Sequence, residues 1–254
     1  MISSPQNPKL KLARALLTQA KARRQEGLCA LEGLRLVRDA LDAGLPIDFI
    51  LHKPDLPALA DLAALGAPLV AVEGRLLDEI SETEHNQGLL AVLPIPRLPL
   101  DPAADFLLAL DGLSDAGNLG TIIRTAAAAG AQGLFLLPGC VDPYNPKVLR
   151  AGMGGHFRLP IQEMTWEQLG AQFAGSHQFW AADLPRPGSR PYTDPLFAEP
   201  CLLIVGNEAH GLSQQARALG QPLHIPMAGG VESLNSATAA ALLLYEVARQ
   251  RAFF

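Results

Sequence analysis

Cysteine is scarce in this chain, and Cys29, Cys140 and Cys201 lie far apart. An odd, dispersed set excludes a disulfide framework or a thiolate zinc site and reads as buried, reduced thiols. Histidine is no better placed for a metal: His52, His85, His156, His177, His210 and His224 show no ligand spacing. Long apolar runs are missing too. No stretch approaches the ~18 uncharged apolar residues that span a bilayer, and no apolar core of a signal peptide follows MISSPQNPKL. A cytoplasmic protein with no membrane partner is therefore expected. The simple nucleotide motifs are also absent. There is no G-x-x-x-x-G-K-[ST], which removes a P-loop, and GMGGH at 152–156 lacks the spacing and the downstream acid of a dinucleotide site. Ser213 and Ser236 stand outside any nucleophile-elbow context.

What the chain does have is apolar content, 49% over 254 residues, ample for one large or two modest domains. Its charge is unevenly spread. The formal net charge is −5, yet residues 1–38 carry eight basic side chains (Lys9, Lys11, Arg14, Lys21, Arg23, Arg24, Arg35, Arg38) against Glu26 and Glu32 alone. A basic N-terminal segment on an acidic body fits either a docking surface for a polyanion or a solvated amphipathic helix.

The N-terminal third alternates short apolar strands with helices. KLKLARALLTQAKARRQEG has helical period, with one apolar stripe and one cationic face. LCALEGLRLVRDALDAG reads as a strand and then a helix with Leu34, Val37 and Leu41 inward, stopped by Gly44. PIDFILHKP, LPALADLAALG, APLVAVEG and GRLLDEISETEHNQGLLAVLP continue the alternation, ending in a strand from Gly88 to Leu93. PIPRLPLDP then allows neither a helix nor a central strand. The expected division is therefore an N-terminal domain over 1–97 and a second domain over 98–254.

From FLLALD the pattern restarts: strands at GLFLL, FRLPI, QFWAAD, CLLIVG and LHIPM, interleaved with helices at GTIIRTAAAAG, NPKVLRAGMGG, TWEQLGAQFAG, HGLSQQARALG and the C-terminal segment. This is an α/β pattern with an open, mostly parallel sheet, whose ligands bind outside the carboxyl ends of the strands.

Three loops in the second domain are rich in glycine and poor in charge. In LSDAGNLGTIIRTAAAAG, Asn118 is placed to cap a helix and Arg124 is the only charged residue between Asp115 and Asp142. Buried in so apolar a setting, a guanidinium needs an anionic partner, either another side chain or a phosphate. In CLLIVGNEAHGLS, Glu208 is the sole formal charge between Glu199 and Arg217, just after Gly206; it reads as a helix N-terminal anion or as a group beside a ligand. In IPMAGGVESLNSATAAALLLYEVARQR, Gly229 and Gly230 permit close backbone approach, and Ser233 and Asn235 can cap the helix that follows, with Leu234, Ala237, Ala241, Leu244, Tyr245 and Ala248 at helical spacing.

Together, NLGTIIRTAAAAG, IVGNEAHGLS and IPMAGGVESLNSATAAA resemble, in order, spacing and terminal position, the three motifs of the SpoU (TrmH-like) branch of the SPOUT RNA 2′-O-ribose methyltransferases. ISSPQNPKLKLARAL and LEGLRLVRDAL are similar to the substrate-binding domain of its ribosomal-RNA members. The resemblance implies a deep trefoil knot near the C-terminus, which periodicity could not have suggested because knots are nearly absent from proteins. It implies S-adenosylmethionine as cofactor, held by Gly206, Ile225 and Leu234, with no metal. It implies an RNA substrate, ribosomal RNA by preference, and a homodimer. Arg124 matches the family arginine that activates the ribose hydroxyl. Because a guanidinium is a poor base, it could instead clamp a phosphate and stabilise the oxyanion. Asn118, Glu208, Ser233 and Asn235 match the remaining polar positions of the catalytic set. KVLRAGMGGHF resembles the intermediate loop, with Gly152 where many members carry serine. Two other readings keep the same fold: a catalytically inactive RNA-binding ribosome-assembly protein, or a methyltransferase acting on transfer RNA.

Overall fold

The structure is a computed structural model that describes residues 1–81, 86–208 and 210–252. In chain order its elements are α1 (Pro8–Thr18), α2 (Ala20–Glu26), β1 (Leu28–Glu32), α3 (Leu34–Asp42), β2 (Phe49–His52), α4 (Leu59–Ala64), β3 (Leu69–Ala71), α5 (Gly74–Ile80) and β4 (Leu89–Pro94). Then follow β5 (Phe106–Asp111), α6 (Ala116–Ala129), β6 (Gly133–Leu136), α7 (Pro146–Gly152), a 3-10 turn at Gly155–Phe157, β7 (Ile161–Glu163), α8 (Trp166–Phe173) and β8 (Gln178–Ala182). The chain ends with β9 (Arg190–Pro191), β10 (Cys201–Gly206), α9 (Gln214–Leu219), β11 (Gln221–His224) and α10 (Ser236–Gln250). Contacts divide the chain into two compact units, Met1–Pro96 with Asp142–Phe157, and Arg97–Val141 with Arg158–Phe254.

The first unit is built on a four-stranded sheet in the order β1-β4-β2-β3, antiparallel except for the β2/β3 pair. Apart from Glu32 and His52 at the ends of β1 and β2, its strands are apolar because both faces are covered. Along β4, Leu90 and Val92 pack with Leu10, Leu16 and Leu17 of α1, while Leu89, Ala91 and Leu93 pack with Val37 and Ala40 of α3 and Leu149 of α7. The two-residue alternation of a strand feeds two cores at once. Where one basic helix is expected, the chain makes two, broken at the extended Gln19. The break turns Arg23 inward. Its guanidinium pairs with Asp142 at 2.7 Å and donates to the carbonyls of Leu16 and Leu17, so the orphan acceptors at the end of α1 are satisfied by a buried cation. Arg23 is therefore part of this unit's interior and not of a cationic face.

The second unit carries a seven-stranded sheet, β7-β6-β5-β10-β8-β11-β9, in which every neighbouring pair is parallel. FLLALD is buried at every position, as a central parallel strand requires. Leu107, Ala109, Leu202 and Ile204 face a core shared with α8 and α9; α10 packs over β10 and against α6. Three boundaries differ from the sequence pattern. FRLPI gives Phe157 to a 3-10 turn and its next three residues to a loop, so the strand starts at Ile161; LHIPM ends its pairing at His224; and the C-terminal helix begins at Ser236, leaving Leu234 in the loop. Short apolar runs fix that a strand exists, but its hydrogen-bonded partner fixes where it stops.

Candidate functional site

The first of the three loops enters α6 through Asp115, not Asn118. Asp115 holds an extended backbone, and its carboxylate accepts the N–H of Asn118 at 2.7 Å. Asn118 thus lies inside the first turn, where its amide has no capping duty and is free to bond elsewhere. It donates to Glu208 and accepts from the amide of Asn235 at 3.1 Å.

The second loop leaves β10 at Gly206. A Cβ there would lie 2.6 Å from the backbone of Gly211, so this glycine is required by the chain's own return as well as by any ligand. Asn207 and Gly211 exchange backbone hydrogen bonds of 3.1 and 2.8 Å, with Gly211 at φ +65°, and the Asn207 amide donates to Gly112 O at 2.8 Å. Asp111, buried at the end of β5, accepts the Ser213 N–H at 2.6 Å. The turn bearing Glu208 is thereby tied to the carboxyl end of the central strand. The helix behind it starts only at Gln214, capped by Ser213, so Glu208 is not a helix N-terminal anion.

In the third loop, Asn235 is the cap of α10, accepting from Ala237 N at 3.0 Å and Thr238 N at 3.2 Å. Ser233 is exposed and makes no hydrogen bond among the described residues. The neighbour that does is Ser236: buried at the first helical position, it donates to the same Glu208 oxygen that Asn118 reaches. Sequence reasoning weighed Ser236 only as a nucleophile and passed over it. A serine at the first position of a helix otherwise built from small apolar residues was the available signal.

The second and third loops wall a cavity of about 410 Å³ at the carboxyl ends of β8, β10 and β11, a volume in the range of small-molecule sites. Gly206, Ile225 and Leu234 line it, as do Glu208, Ser233 and Ser236; Val205, Leu223 and Leu243 supply further apolar wall. On another side stand Asp183 and Arg217, paired at 2.8 Å. Burial alone would raise the Asp183 carboxyl, but hydrogen bonds from Arg217 and the Leu184 N–H, with the charges of Arg217 and Arg186, outweigh it and hold the group below its ordinary range. Sequence reasoning did not find this pair, because Asp183 follows β8 while Arg217 lies on α9.

Arg124 stands apart. It is exposed on α6, about 9 Å along the axis from Asn118 by helical rise, does not line the cavity, and has no hydrogen bond or ion pair among the described residues. Being exposed, it needs no internal anion. No cluster of histidine, cysteine or acidic residues able to hold a metal is present among the described residues. Cys29 and Cys201 are buried and Cys140 half-buried, all free thiols; burial pushes the thiols of Cys29 and Cys201 up to about 12. His85 lies outside the described residues, and Gly152 ends α7 in the first unit, buried.

A parallel sheet with a polar cluster and a glycine-walled cavity at its carboxyl edge defines a small-molecule-binding α/β protein. The SpoU rRNA Methylase family model matches residues 105–245, and an MRM3-like substrate binding domain matches residues 7–91. The chain belongs to the SpoU methylase family. It is 36% identical to an uncharacterized tRNA/rRNA methyltransferase of Synechocystis over 98% of this chain and 94% of that one. It is 34% identical to the 23S rRNA (guanosine(2553)-2′-O)-methyltransferase RlmP of Bacillus subtilis, over 97% and 98%. An AdoMet-bound rRNA methyltransferase from Sinorhizobium meliloti superposes with a TM-score of 0.86 at 35% identity, covering 98% of this chain and 97% of that structure.

Proposed function

We propose that this protein methylates the 2′-hydroxyl of a ribose in ribosomal RNA, with S-adenosylmethionine as methyl donor. One observation carries the reading: Asn118, Glu208 and Asn235, from three loops, form one hydrogen-bonded cluster beside the cavity that Gly206, Ile225 and Leu234 line. The cavity suits the cofactor. Its apolar wall accepts an adenine ring, and the exposed main chain of the loops can read the ring's edge.

When bound, the cofactor supplies an electrophilic methyl group on a sulfonium. The chain's own groups have the task of alignment, since holding two reactants in line removes much of the barrier. Glu208, fixed by Asn118, and Ser233 at the cavity wall orient the ribose and the cofactor, while Asn235 holds the Asn118 amide in register. Arg124 meets the negative charge that develops on the attacking oxygen, or the phosphate beside it.

Arg124 reaches a cavity if two copies pair. On α10, which packs against α6, Leu242 and Tyr245 are 38% and 46% exposed. We assign that face to a homodimer in which substrate lies across both chains. Residues 1–97 are assigned to RNA binding and 98–254 to methyl transfer, with a trefoil knot near the C-terminus; the matched regions 7–91 and 105–245 support that division, to which residues 142–157, packed with the first unit, are the exception. No helix among the described residues is long and apolar enough to cross a membrane, and a cytoplasmic site of action is part of this proposal.

A catalytically inactive RNA-binding role is disfavoured because the polar cluster is assembled and borders the cavity. A transfer RNA substrate is disfavoured by the matched N-terminal domain. The test is transfer of labelled methyl groups to unmodified ribosomal RNA transcribed in vitro, with the modified nucleotide mapped. Incorporation at a single 2′-O position is expected. Cofactor binding without transfer to any RNA would favour the inactive binder, and transfer to transfer RNA alone would move the substrate.

A further inference from the structure

Ser236 has no part in the reading above, yet it is the most buried of the hydroxyls around the cavity, at 4% exposure. Its Oγ donates to Oε1 of Glu208, the oxygen that the Asn118 amide also reaches. Both donors converge on one carboxylate oxygen, and Oε2 has no donor among the described residues. A glutamate side chain has three rotatable bonds, and a single contact to the half-buried Asn118 would leave it free to swing about that contact. The second contact, from the first residue of α10, comes from a different element and a buried atom. Two donors from separate helices hold Oε1 in place, and Oε2, with no donor among the described residues, is left available to a ligand in the cavity that Glu208 lines.

We infer that Ser236 is a positioning residue for methyl transfer, holding Glu208 by one oxygen so that the other is presented to the reacting ribose. This rests on the proposed function and extends it to a residue outside the matched polar set. The role is separable from stability: alanine at this position loses no cap, because Asn235 supplies both capping bonds of α10.

The test compares the unsubstituted protein with Ser236→Ala, Ser236→Thr, Glu208→Ala and the Ser236→Ala/Glu208→Ala double variant, in steady-state methyl transfer to unmodified ribosomal RNA. Ser236→Ala is expected to lower kcat about tenfold, with KM for RNA and for S-adenosylmethionine within twofold and an unchanged melting temperature. Ser236→Thr, which keeps the hydroxyl, restores most of the rate. In the Glu208→Ala background the Ser236 substitution has no further effect. Unchanged kcat in Ser236→Ala, or a loss that multiplies in the double variant, overturns the inference. Crystal structures of the unsubstituted protein and Ser236→Ala, both with S-adenosylmethionine, give a readout independent of turnover. The Glu208 carboxylate should leave its place in the variant, and an unmoved Glu208 rejects the positioning role. If the unsubstituted protein transfers no methyl group, the proposed function fails, and the crystallographic comparison alone decides the role of Ser236.

Discussion

The side-chain amide of Asn118 donates to the carboxylate of Glu208 across 90 positions of sequence, joining the first turn of α6 to the loop after β10. The backbone of that turn does not depend on the Asn118 side chain, since Asp115 caps the helix. Asn118→Ala should therefore fold normally, with a melting temperature within a few degrees of the unsubstituted protein. Its kcat for methyl transfer should fall on the order of 100-fold, the scale expected when a reacting group loses its alignment. A variant with full kcat would show that Glu208 is held without it.

Arg124 is exposed and has no hydrogen bond or ion pair among the described residues. Arg124→Ala is accordingly expected to leave stability and the calorimetric affinity for S-adenosylmethionine unchanged while abolishing transfer. Leu242→Glu, placed on the exposed face of α10, should convert a dimer to a monomer in light scattering and lose activity with Arg124 intact. Normal turnover by Arg124→Ala would remove this arginine from the mechanism.

Gly206 is confined by the backbone of Gly211, 2.6 Å from where a Cβ would sit. Alanine there must displace main chain, costing about 1–3 kcal/mol as overpacking does. Because the displaced segment borders Glu208 and the cavity, cofactor affinity should fall together with stability. Denaturation midpoints and calorimetry on Gly206→Ala test the pair of effects, and a normal cofactor affinity would contradict them.

Arg23 and Lys11 are alike in sequence and opposite in structure. Arg23→Met removes one partner of a buried ion pair and leaves Asp142 with an uncompensated charge, a loss of about 3–5 kcal/mol. Lys11→Ala with Arg14→Ala should leave the denaturation midpoint nearly unchanged while weakening RNA binding and flattening its salt dependence. Filter binding at several salt concentrations and urea denaturation of both variants distinguish the two roles.

His156 is buried, donates through Nε2 to Pro143 O at 2.9 Å, and has no partner for Nδ1 among the described residues. Burial drives its pKa down from 6.5 to about 4, against the opposing pull of the Pro143 carbonyl and Asp142. The folded protein resists protonation that the unfolded chain accepts. Stability is therefore full above pH ~6.5 and is lost as pH falls toward about 4, by about 3 kcal/mol at most. Urea midpoints at several pH values between 7 and 4 should fall in the unsubstituted protein and fall less in His156→Gln; equal slopes would exclude this histidine.

The site was legible in the sequence to the extent that its residues are set by backbone chemistry. Glycines at 206, 211 and 230 and an asparagine before a run of small residues mark loops that turn tightly and open a helix, whatever the rest of the chain does. Asn118 was assigned the wrong local task because Asp115, three residues earlier, is an equally good cap. Only the coordinates show which one the helix uses. Arg23 and Ser236 were misjudged for a related reason. An arginine among basic neighbours looks solvated until a kink at Gln19 turns it inward, and a serine without a nucleophile motif looks idle until a carboxylate from another loop arrives beside it.

The order of apolar and polar residues along the chain determined by itself the α/β class, the restart after the proline-rich stretch and the three glycine-bearing loops, because these depend on local periodicity and steric freedom. Tertiary structure alone decided that Glu208 meets Asn118 and Ser236, that Asp142 meets Arg23, and that Arg124 stays uncovered. Such pairings join groups many positions apart, and sheet order and helix packing, not local preference, set the distances between them.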